Sequence, residues 1–249
     1  MAARITPLRL QAFDQLPKHA RRCVYWEVDP AIIDRGEQLS DPEFEKEAWL
    51  SMVMLEWGSC GQLAVESRTA DGHDDLQDSP DDDPCLGYVF YAPPRSVPRA
   101  GRFPTGPVSA DAVLLTTLGI ESGQGAEALS QTLITAVVGD LVRRGVRALE
   151  AFGRTAEADT LTDRESAPAD VRPVLETLGD CSVDQCILDA NLLMDAGFEV
   201  VSHHTYFPRL RLELEQGLGW KAGVEAALER LLESAQLQQP VGAGASSRP

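Results

Sequence analysis

The pattern of apolar and polar positions is clearest over residues 112–152. Residues 112–120 form a short apolar run with β-branched side chains, which predicts a buried strand. After a glycine-rich turn, apolar residues recur at helical spacing as Leu129, Leu133, Val137 and Leu141. The helix is predicted to end at residues 143–145, because two arginines followed by glycine are typical of a helix C-terminus. Residues 146–152 predict a second strand, so this stretch forms a strand–helix–strand unit with a parallel strand pair.

Before this unit, the pattern predicts one helix and up to three strands. Cys23–Val28 is a strand candidate, and residues 61–65 and 86–91 predict two further strands. Residues 40–43 combine a capping serine, an early proline and a glutamate, so a helix is predicted to start there. Its core-facing apolar stripe is predicted to consist of Phe44, Ala48, Met52 and Leu55.

After the unit, the pattern predicts a helix, two strands and a last helix. A second capping box at residues 182–185 predicts a helix that ends at Gly197. Residues 198–201 and 207–214 predict the two strands. The amphipathic stretch 220–232 is either docked on the domain or a contact in a homodimer. The predicted organisation is a domain at 1–214, a helical extension at 215–235 and a disordered tail at 236–249.

Three connecting segments lack this periodicity. Residues 66–84 hold eight acidic residues against one arginine, and residues 153–180 are also polar and acidic. Both predict flexible insertions; the second follows a strand end where it would cover a substrate. The first has an acidic cation-binding loop as its alternative, although it lacks the ligand spacing of an EF-hand. Residues 93–107 are proline-rich with three arginines and predict a rigid extended connection, or else a lid with its arginines directed at phosphates.

The glycine-rich turn at residues 122–125 is the clearest candidate for chemistry. A turn of this kind at a helix start leaves backbone N–H groups free to approach an anion, and the helix dipole favours negative charge there. Neither the dinucleotide fingerprint nor the phosphate-binding P-loop is present, since no third glycine and no Gly-Lys-Ser/Thr follow. The alternative is an ordinary crossover in which the glycines only make the turn.

Residues 112–152 resemble the acetyl-CoA-binding region of the GNAT N-acetyltransferase superfamily. In that family a strand runs into Arg/Gln-x-x-Gly-x-Gly/Ala at the start of a long helix, and residues 125–130 of this chain lie in that register, with small residues at Ala128 and Ser130. Gly125 replaces the usual Arg or Gln, and Glu127 adds a negative charge. The Gly197-Phe198 dipeptide before the last strands is a second match.

The resemblance implies a single α/β domain with a mixed, twisted sheet of about six to seven strands and helices on both faces. The C-terminal amphipathic helix predicted at 220–232 follows the end of the family's usual element order. Acetyl-CoA would be wedged where the two central parallel strands separate, with a strand backbone N–H on the thioester oxygen. The cofactor-binding residues implied are Leu118, Gly119, Ile120, Gly125, Ala126, Glu127, Ala128, Leu129 and Ser130.

The implied reaction is attack of a primary amine on the acetyl thioester, which needs a base for the ammonium and an acid for the departing thiolate. Glu150 shares a strand face with apolar residues, so a raised pKa would suit it as the base. The family's tyrosine, four residues before Gly-Phe, is Leu193 here, and Tyr206 and Tyr91 are the substitutes for the acid. His203 and His204 are expected at the surface.

Composition narrows the alternatives. The formal charge of −17 disfavours nucleic-acid binding and is compatible with a cationic amine acceptor. The five cysteines show no C-x-x-C pair, so no metal site is expected. No apolar run is long enough for a membrane span and no secretory h-region begins the chain, so a cytoplasmic protein is expected. Two further functions stay open: a non-catalytic CoA-binding regulator or interaction module, and an assembly partner that uses the acidic insertions.

Overall fold

The fold is built on one open mixed β-sheet, seen in a computed structural model that describes residues 3–29, 41–66, 84–121, 125–161, 167–175 and 182–214. Within these residues the sheet has eight strands: β1 (Ala3–Pro7), β2 (Gly61–Glu66), β3 (Cys85–Ala92), β4 (Ala112–Ile120), β5 (Ala148–Arg154), β6 (Leu188–Asp189), β7 (Glu199–Ser202) and β8 (Arg209–Glu213). Their order is β1-β2-β3-β4-β5-β8-β7, while β6 pairs separately with β5. β4 and β5 are parallel, and the other neighbours along this path are antiparallel.

The helices in the described part of the chain are α1 (Lys18–Arg22), α2 (Pro42–Glu56), α3 (Ala126–Arg143), α4 (Arg172–Leu175), α5 (Val183–Cys186) and α6 (Ala190–Asp195). Short 3₁₀ turns lie at Leu10–Gln15, Pro94–Ser96, Pro98–Arg102 and Ala158–Thr160. None of these helices combines the length and the apolar character needed to cross a bilayer.

Each face of the sheet carries its own hydrophobic core. Side chains of β3 alternate between them: Tyr88 and Phe90 join the core that includes α1 and α2, and Val89 and Tyr91 join the core that includes α3 and α6. The first core also contains a stack of aromatic rings, in which Phe103 lies 4.2 Å from Phe152 between ring centroids. A mixed sheet with helices against both faces confirms the predicted fold class, with eight strands when the two-residue β6 is counted.

The strand–helix–strand unit is confirmed. β4 spans the predicted residues, α3 ends at Arg143 and the backbone turns at Gly145 with a φ of 77°, a left-handed conformation that favours glycine. β5 begins at Ala148, slightly later than predicted. Leu133, Val137 and Leu141 of α3 are fully buried, as their spacing indicated.

The predicted buried face of α2 is wrong. Phe44, Ala48, Met52 and Leu55 are all exposed, Leu55 to 89%. The buried stripe is one step round the helix, at Lys46, Trp49, Leu50 and Val53. Lys46 is accommodated because its ammonium forms an ion pair with buried Glu27. The side chain that caps the helix is Asp41 rather than Ser40; it accepts from the amides of Glu43 and Phe44.

Other local predictions also need correction. Cys23–Val28 is not a strand but a turn that inserts Tyr25 and Trp26 into the core. The helix predicted from residue 182 to Gly197 is divided into α5 and α6 by β6, because Leu188 and Asp189 pair with β5; the cap of α6 is Asp189. The proline-rich segment contains 3₁₀ turns in place of an extended connection.

Parts of the predicted insertions and the C-terminal region lie outside the described residues: 67–83, 162–166, 176–181 and 215–249. Within the second predicted insertion, residues 167–175 are described. Val171, Val174 and Leu175 are buried there in the core that includes α1 and α2.

Candidate functional site

β4 and β5 separate about a third of the way along β4. They pair only at Ala112–Ala148, Val113–Leu149 and Leu114–Glu150. Immediately afterwards the pairing of β4 with β3 shifts register, since Phe90 faces Thr117 and Tyr91 faces Leu115. Thr116 is the extra residue of this bulge, and its hydroxyl donates to the Phe90 carbonyl at 3.1 Å. A bulge bends a strand and interrupts pairing, which accounts for the separation.

The second half of β4 therefore presents an open edge. The Glu121 amide donates to the Leu86 carbonyl of β3 at 2.9 Å. Because backbone groups alternate in direction along a strand, the N–H and C=O groups of Leu118 and Ile120 point to the opposite edge, away from β3. β6 covers the corresponding edge of β5, where Leu188 pairs with Gly153. The open edge thus belongs to β4.

α3 begins beyond the end of this edge. Its N-cap is Gly125, whose φ of 78° favours glycine and whose Cα faces open space. The Leu129 amide donates to the Gly125 carbonyl at 3.0 Å and closes the first turn. The amides of Ala126, Glu127 and Ala128 have no acceptor among the described residues. Residues 122–124 of the predicted glycine turn lie outside the described residues. The first amides of an α-helix have no acceptor within the helix, and the dipole of this eighteen-residue helix favours negative charge there, so its N-terminus is suited to an anion.

The predicted cofactor-binding residues thus lie near one end of the sheet, but their side chains differ in how far they are exposed to a ligand. Gly125, Glu127 and Ala128 are exposed, and Leu129 is half-buried against the core. The Ser130 hydroxyl is turned back to the Ala126 carbonyl at 2.8 Å, so it is not presented to a ligand. Backbone groups, rather than side chains, offer the binding chemistry.

Gly119 has a packing role at the end of β4. A Cβ atom there would lie 2.5 Å from the Tyr88 ring and 2.6 Å from its hydroxyl oxygen. Only glycine lets the ring cross the strand at this distance. Tyr88 is itself buried, and burial raises the pKa of its hydroxyl.

Glu150 does not have the environment expected of a base. It is fully buried, and its carboxylate accepts from Arg209 at 2.5 Å, Arg211 at 3.0 Å and the Ser109 amide at 3.1 Å. Burial alone would raise the pKa of Glu150, but these hydrogen bonds outweigh it and the pKa is lowered. The predicted raised pKa is wrong. A catalytic role for Glu150 stays a prediction, and its contacts are those of an ion pair that joins β5 to β8.

Tyr206 lies at the end of β5 nearest the separation of the strands, since the Thr155 amide donates to its carbonyl at 3.1 Å. The residue is half-buried. Its turn is organised by His204, whose Nδ1 accepts from the amides of Tyr206 at 3.2 Å and Phe207 at 3.1 Å. Asp170 contacts the other ring nitrogen of His204 at 3.1 Å. No sequence pattern indicated this role of His204.

Tyr91, the other tyrosine considered as an acid, is committed elsewhere. Its hydroxyl donates to Asp140 near the C-terminal end of α3 at 2.9 Å and accepts from Gln62 at 3.0 Å. Burial and the Asp140 carboxylate raise the pKa of Tyr91.

The lid that was the alternative interpretation of residues 93–107 does not fit the positions of Arg99 and Arg95. Arg99 is fully buried, and its Nε donates to the Tyr25 carbonyl at 2.8 Å. Arg95 lines a cleft of about 490 Å³ with Ala112 and Val146, at the starts of β4 and β5. This is the end of the sheet opposite the N-terminus of α3.

Searches of protein-family models and of curated proteins found no match to this chain. Solved structures of similar fold include an N-acetyltransferase from Staphylococcus aureus Mu50, 10% identical, with 86% of this chain and 100% of that chain covered at a TM-score of 0.45. The PaiA N-acetyltransferase from Thermoplasma acidophilum, in complex with coenzyme A, is 11% identical, with coverages of 86% and 99% and a TM-score of 0.44. A candidate GNAT-family acetyltransferase from Desulfovibrio desulfuricans is 13% identical, with coverages of 86% and 100% and a TM-score of 0.39. These neighbours are of the kind that the sequence resembles, and at these values they are likenesses of fold that assign no activity.

Proposed function

We propose that this chain is an acetyl-CoA-dependent N-acyltransferase that moves an acetyl group from the CoA thioester to a primary amine. The observation that carries the proposal is a pair of backbone features near one end of the sheet. One is the open edge of β4 at Leu118 and Ile120, and the other is the amides of Ala126–Ala128, which have no acceptor among the described residues.

These two features match the two chemically distinct parts of CoA. The diphosphate would accept from the amides at the start of α3, where the helix dipole stabilises negative charge. The pantetheine arm is an extended chain with amide groups, and it would pair with the edge of β4 as an added strand does. The thioester would then lie near the bulge at Thr116, where β4 and β5 part.

The acceptor amine must lose a proton before it attacks, and the CoA thiolate must gain one as it leaves. Tyr206 is our candidate for the thiolate's acid, because it is half-buried at the same end of the sheet. Glu150 is less suited to be the base, because its carboxylate is already held by two guanidinium groups. A cationic amine suits the net charge of −17.

A second candidate is a CoA-binding regulator without catalysis. Leu193, at the position of the family's tyrosine, is fully buried in the core. Gly125 offers no side chain to the phosphates, and exposed Glu127 opposes them electrostatically. These features favour weaker or non-catalytic use of the cofactor.

Isothermal titration with acetyl-CoA tests the binding step. The wild type is expected to bind one molecule per chain. Ala128→Glu places a carboxylate beside the third free amide of the helix. At a separation of about 4 Å, this carboxylate would repel each phosphate charge of CoA by about 1 kcal/mol or more. The affinity for acetyl-CoA should therefore fall about tenfold. Thr132→Glu, one turn later on the same exposed face, is the matched control and should bind like the wild type.

Release of CoA thiol across a panel of polyamines, aminoglycosides and lysine peptides separates the two candidates. Turnover with any amine supports the enzyme. Binding of acetyl-CoA without thiol release supports the regulator. An absence of binding heat at every concentration would remove both.

A further inference from the structure

Two cysteines and a histidine meet on the face of the sheet opposite α3. His19 belongs to α1, Cys23 follows that helix directly, and Cys186 ends α5. One ligand atom from each residue lies within 4.8 Å of the other two. The two sulfur atoms are 3.5 Å apart, although the residues are 163 positions apart in the chain.

The fold fixes this cluster from both sides. His19 and Cys23 are four positions apart, and the Cys23 amide donates to the His19 carbonyl at 2.7 Å, so one helical turn directs both side chains the same way. Cys186 is held by the indole of Trp26, which donates to the Cys186 carbonyl at 2.8 Å. Trp26 is in turn 1% exposed and stacked on Phe103. The cluster therefore does not depend on mobile surface side chains.

The cluster's surroundings contain one nitrogen that needs a partner. Nε2 of His19 is buried and makes no hydrogen bond among the described residues. A buried polar atom in this state is destabilising unless something binds it. The Lys46 ammonium, which donates to the Cys23 carbonyl at 3.1 Å, forms an ion pair with buried Glu27. Repulsion of a metal ion by Lys46 is thereby reduced.

We propose that His19, Cys23 and Cys186 form a binding site for a soft divalent metal ion, Zn²⁺ in the first instance, with two thiolates and one imidazole as ligands. Zinc bonds of about 2.3 Å to sulfur in a tetrahedral arrangement separate two sulfurs by about 3.8 Å, close to the 3.5 Å observed. Each thiol would release its proton on binding, and the imidazole would bind unprotonated. Three protein ligands leave the fourth position for water or an external thiol.

This proposal departs from the expectation that no metal would be bound. That expectation rested on the spacing of cysteines along the chain, which identifies C-x-x-C pairs. It does not detect a helical His-x-x-x-Cys pair that meets a distant cysteine in space. The proposal is independent of acetyl-CoA binding, because none of its ligands belongs to β4 or α3.

Titration of the reduced full-length chain with Co²⁺ tests the site, because thiolate ligands give cobalt a charge-transfer absorption. The absorption is expected to saturate at one Co²⁺ per chain and to disappear when Zn²⁺ displaces the Co²⁺. Cys23→Ser, Cys186→Ser and His19→Gln should each weaken binding at least about tenfold, because even the loss of a residue that only orients a ligand costs about 10–100-fold. Cys85→Ser is the control, since Cys85 is a half-buried thiol on β3 outside the cluster, and it should bind like the wild type.

A second measurement needs no variant and holds if the substitutions impair folding. Zn²⁺ should protect Cys23, the half-buried thiol of the cluster, from alkylation in the wild type, as followed by mass spectrometry, while half-buried Cys85 reacts at an unchanged rate. The proposal is overturned if the folded, reduced wild type shows no charge-transfer absorption, or if alkylation of Cys23 is unaffected by Zn²⁺. It is also overturned if Cys23 and Cys186 are isolated as a disulfide whose reduction restores no metal binding.

Discussion

The ion pair between β5 and β8 gives the sharpest prediction about stability. Replacing Glu150 with alanine would remove a fully buried carboxylate and leave Arg209 and Arg211 without their shared partner. Both guanidinium side chains are only 15% exposed, so water would solvate them poorly. Breaking a buried ion pair in this way is destabilising by about 3–5 kcal/mol.

Arg211 also offers a matched control, because it contacts two exposed carboxylates as well as Glu150. Arg211 also contacts Asp111 at 3.0 Å and Glu213 at 2.6 Å, but these carboxylates are 41% and 60% exposed. Exposed ion pairs are worth about 0–1 kcal/mol. Asp111→Ala and Glu213→Ala should therefore change stability far less than Glu150→Ala, although each removes one carboxylate from the same guanidinium.

Urea unfolding followed by tryptophan fluorescence measures the difference. With a slope of about 2 kcal/mol per molar urea, Glu150→Ala should lower the midpoint by about 2 M, and each control by less than about 0.5 M. If the urea midpoint of Glu150→Ala is no lower than that of Glu213→Ala, the buried ion pair does not stabilise the fold more than the exposed one.

The pH dependence gives a second check on Glu150. Its folded pKa is lowered, so the stabilisation is fully present above the unfolded pKa of a glutamate, about 4.3, and is lost as pH falls through the folded pKa. The difference in the free energy of unfolding between the wild type and Glu150→Gln should become smaller below about pH 4.3. A gap that widens on acidification would contradict the lowered pKa.

Three further predictions test packing and catalysis. Gly119→Ala should lower the free energy of unfolding by about 1–3 kcal/mol, because its Cβ would lie 2.5 Å from the Tyr88 ring. A double-mutant cycle with Tyr88→Ala should show that the effects of the two substitutions are not additive. The Leu55 side chain is 89% exposed, so Leu55→Ser should change the free energy of unfolding by no more than about 0.5 kcal/mol. Leu50 is 1% exposed, so Leu50→Ala should lower it by about 2–5 kcal/mol. Equal effects of the two variants in thermal unfolding would refute the observed buried face of α2. Tyr206→Phe should lower kcat by about 10²–10⁴-fold while acetyl-CoA affinity is unchanged, and an unchanged kcat would remove Tyr206 from the reaction.

The sequence predicted the central unit well because its signals are local. A short β-branched run, a glycine turn and a helix with apolar residues at every fourth position leave few alternatives for β4 and α3. The start of the candidate site follows from the same signals, since unsatisfied amides belong to any helix N-terminus. Both features could be located without knowing which strands pair.

Errors arose where a distant residue decides the outcome. The apolar stripe predicted for α2 did not include Lys46, yet the lysine is buried in an ion pair with Glu27 and the predicted stripe faces outward. Residues 188 and 189 have a helical pattern around them, but pairing with β5 makes them a strand. Glu150 lies directly opposite Arg211 in the antiparallel pair of β5 and β8, and only the register of that pair shows it.

The central claim is that backbone amides of β4 and α3 hold CoA, and amide hydrogen exchange measures those amides directly. Addition of acetyl-CoA is expected to slow exchange at Leu118, Ile120 and residues 126–128, with no change over the last turns of α3. Protection confined to other regions, such as the cleft beside Arg95 at the opposite end of the sheet, would contradict the claim even if acetyl-CoA binds.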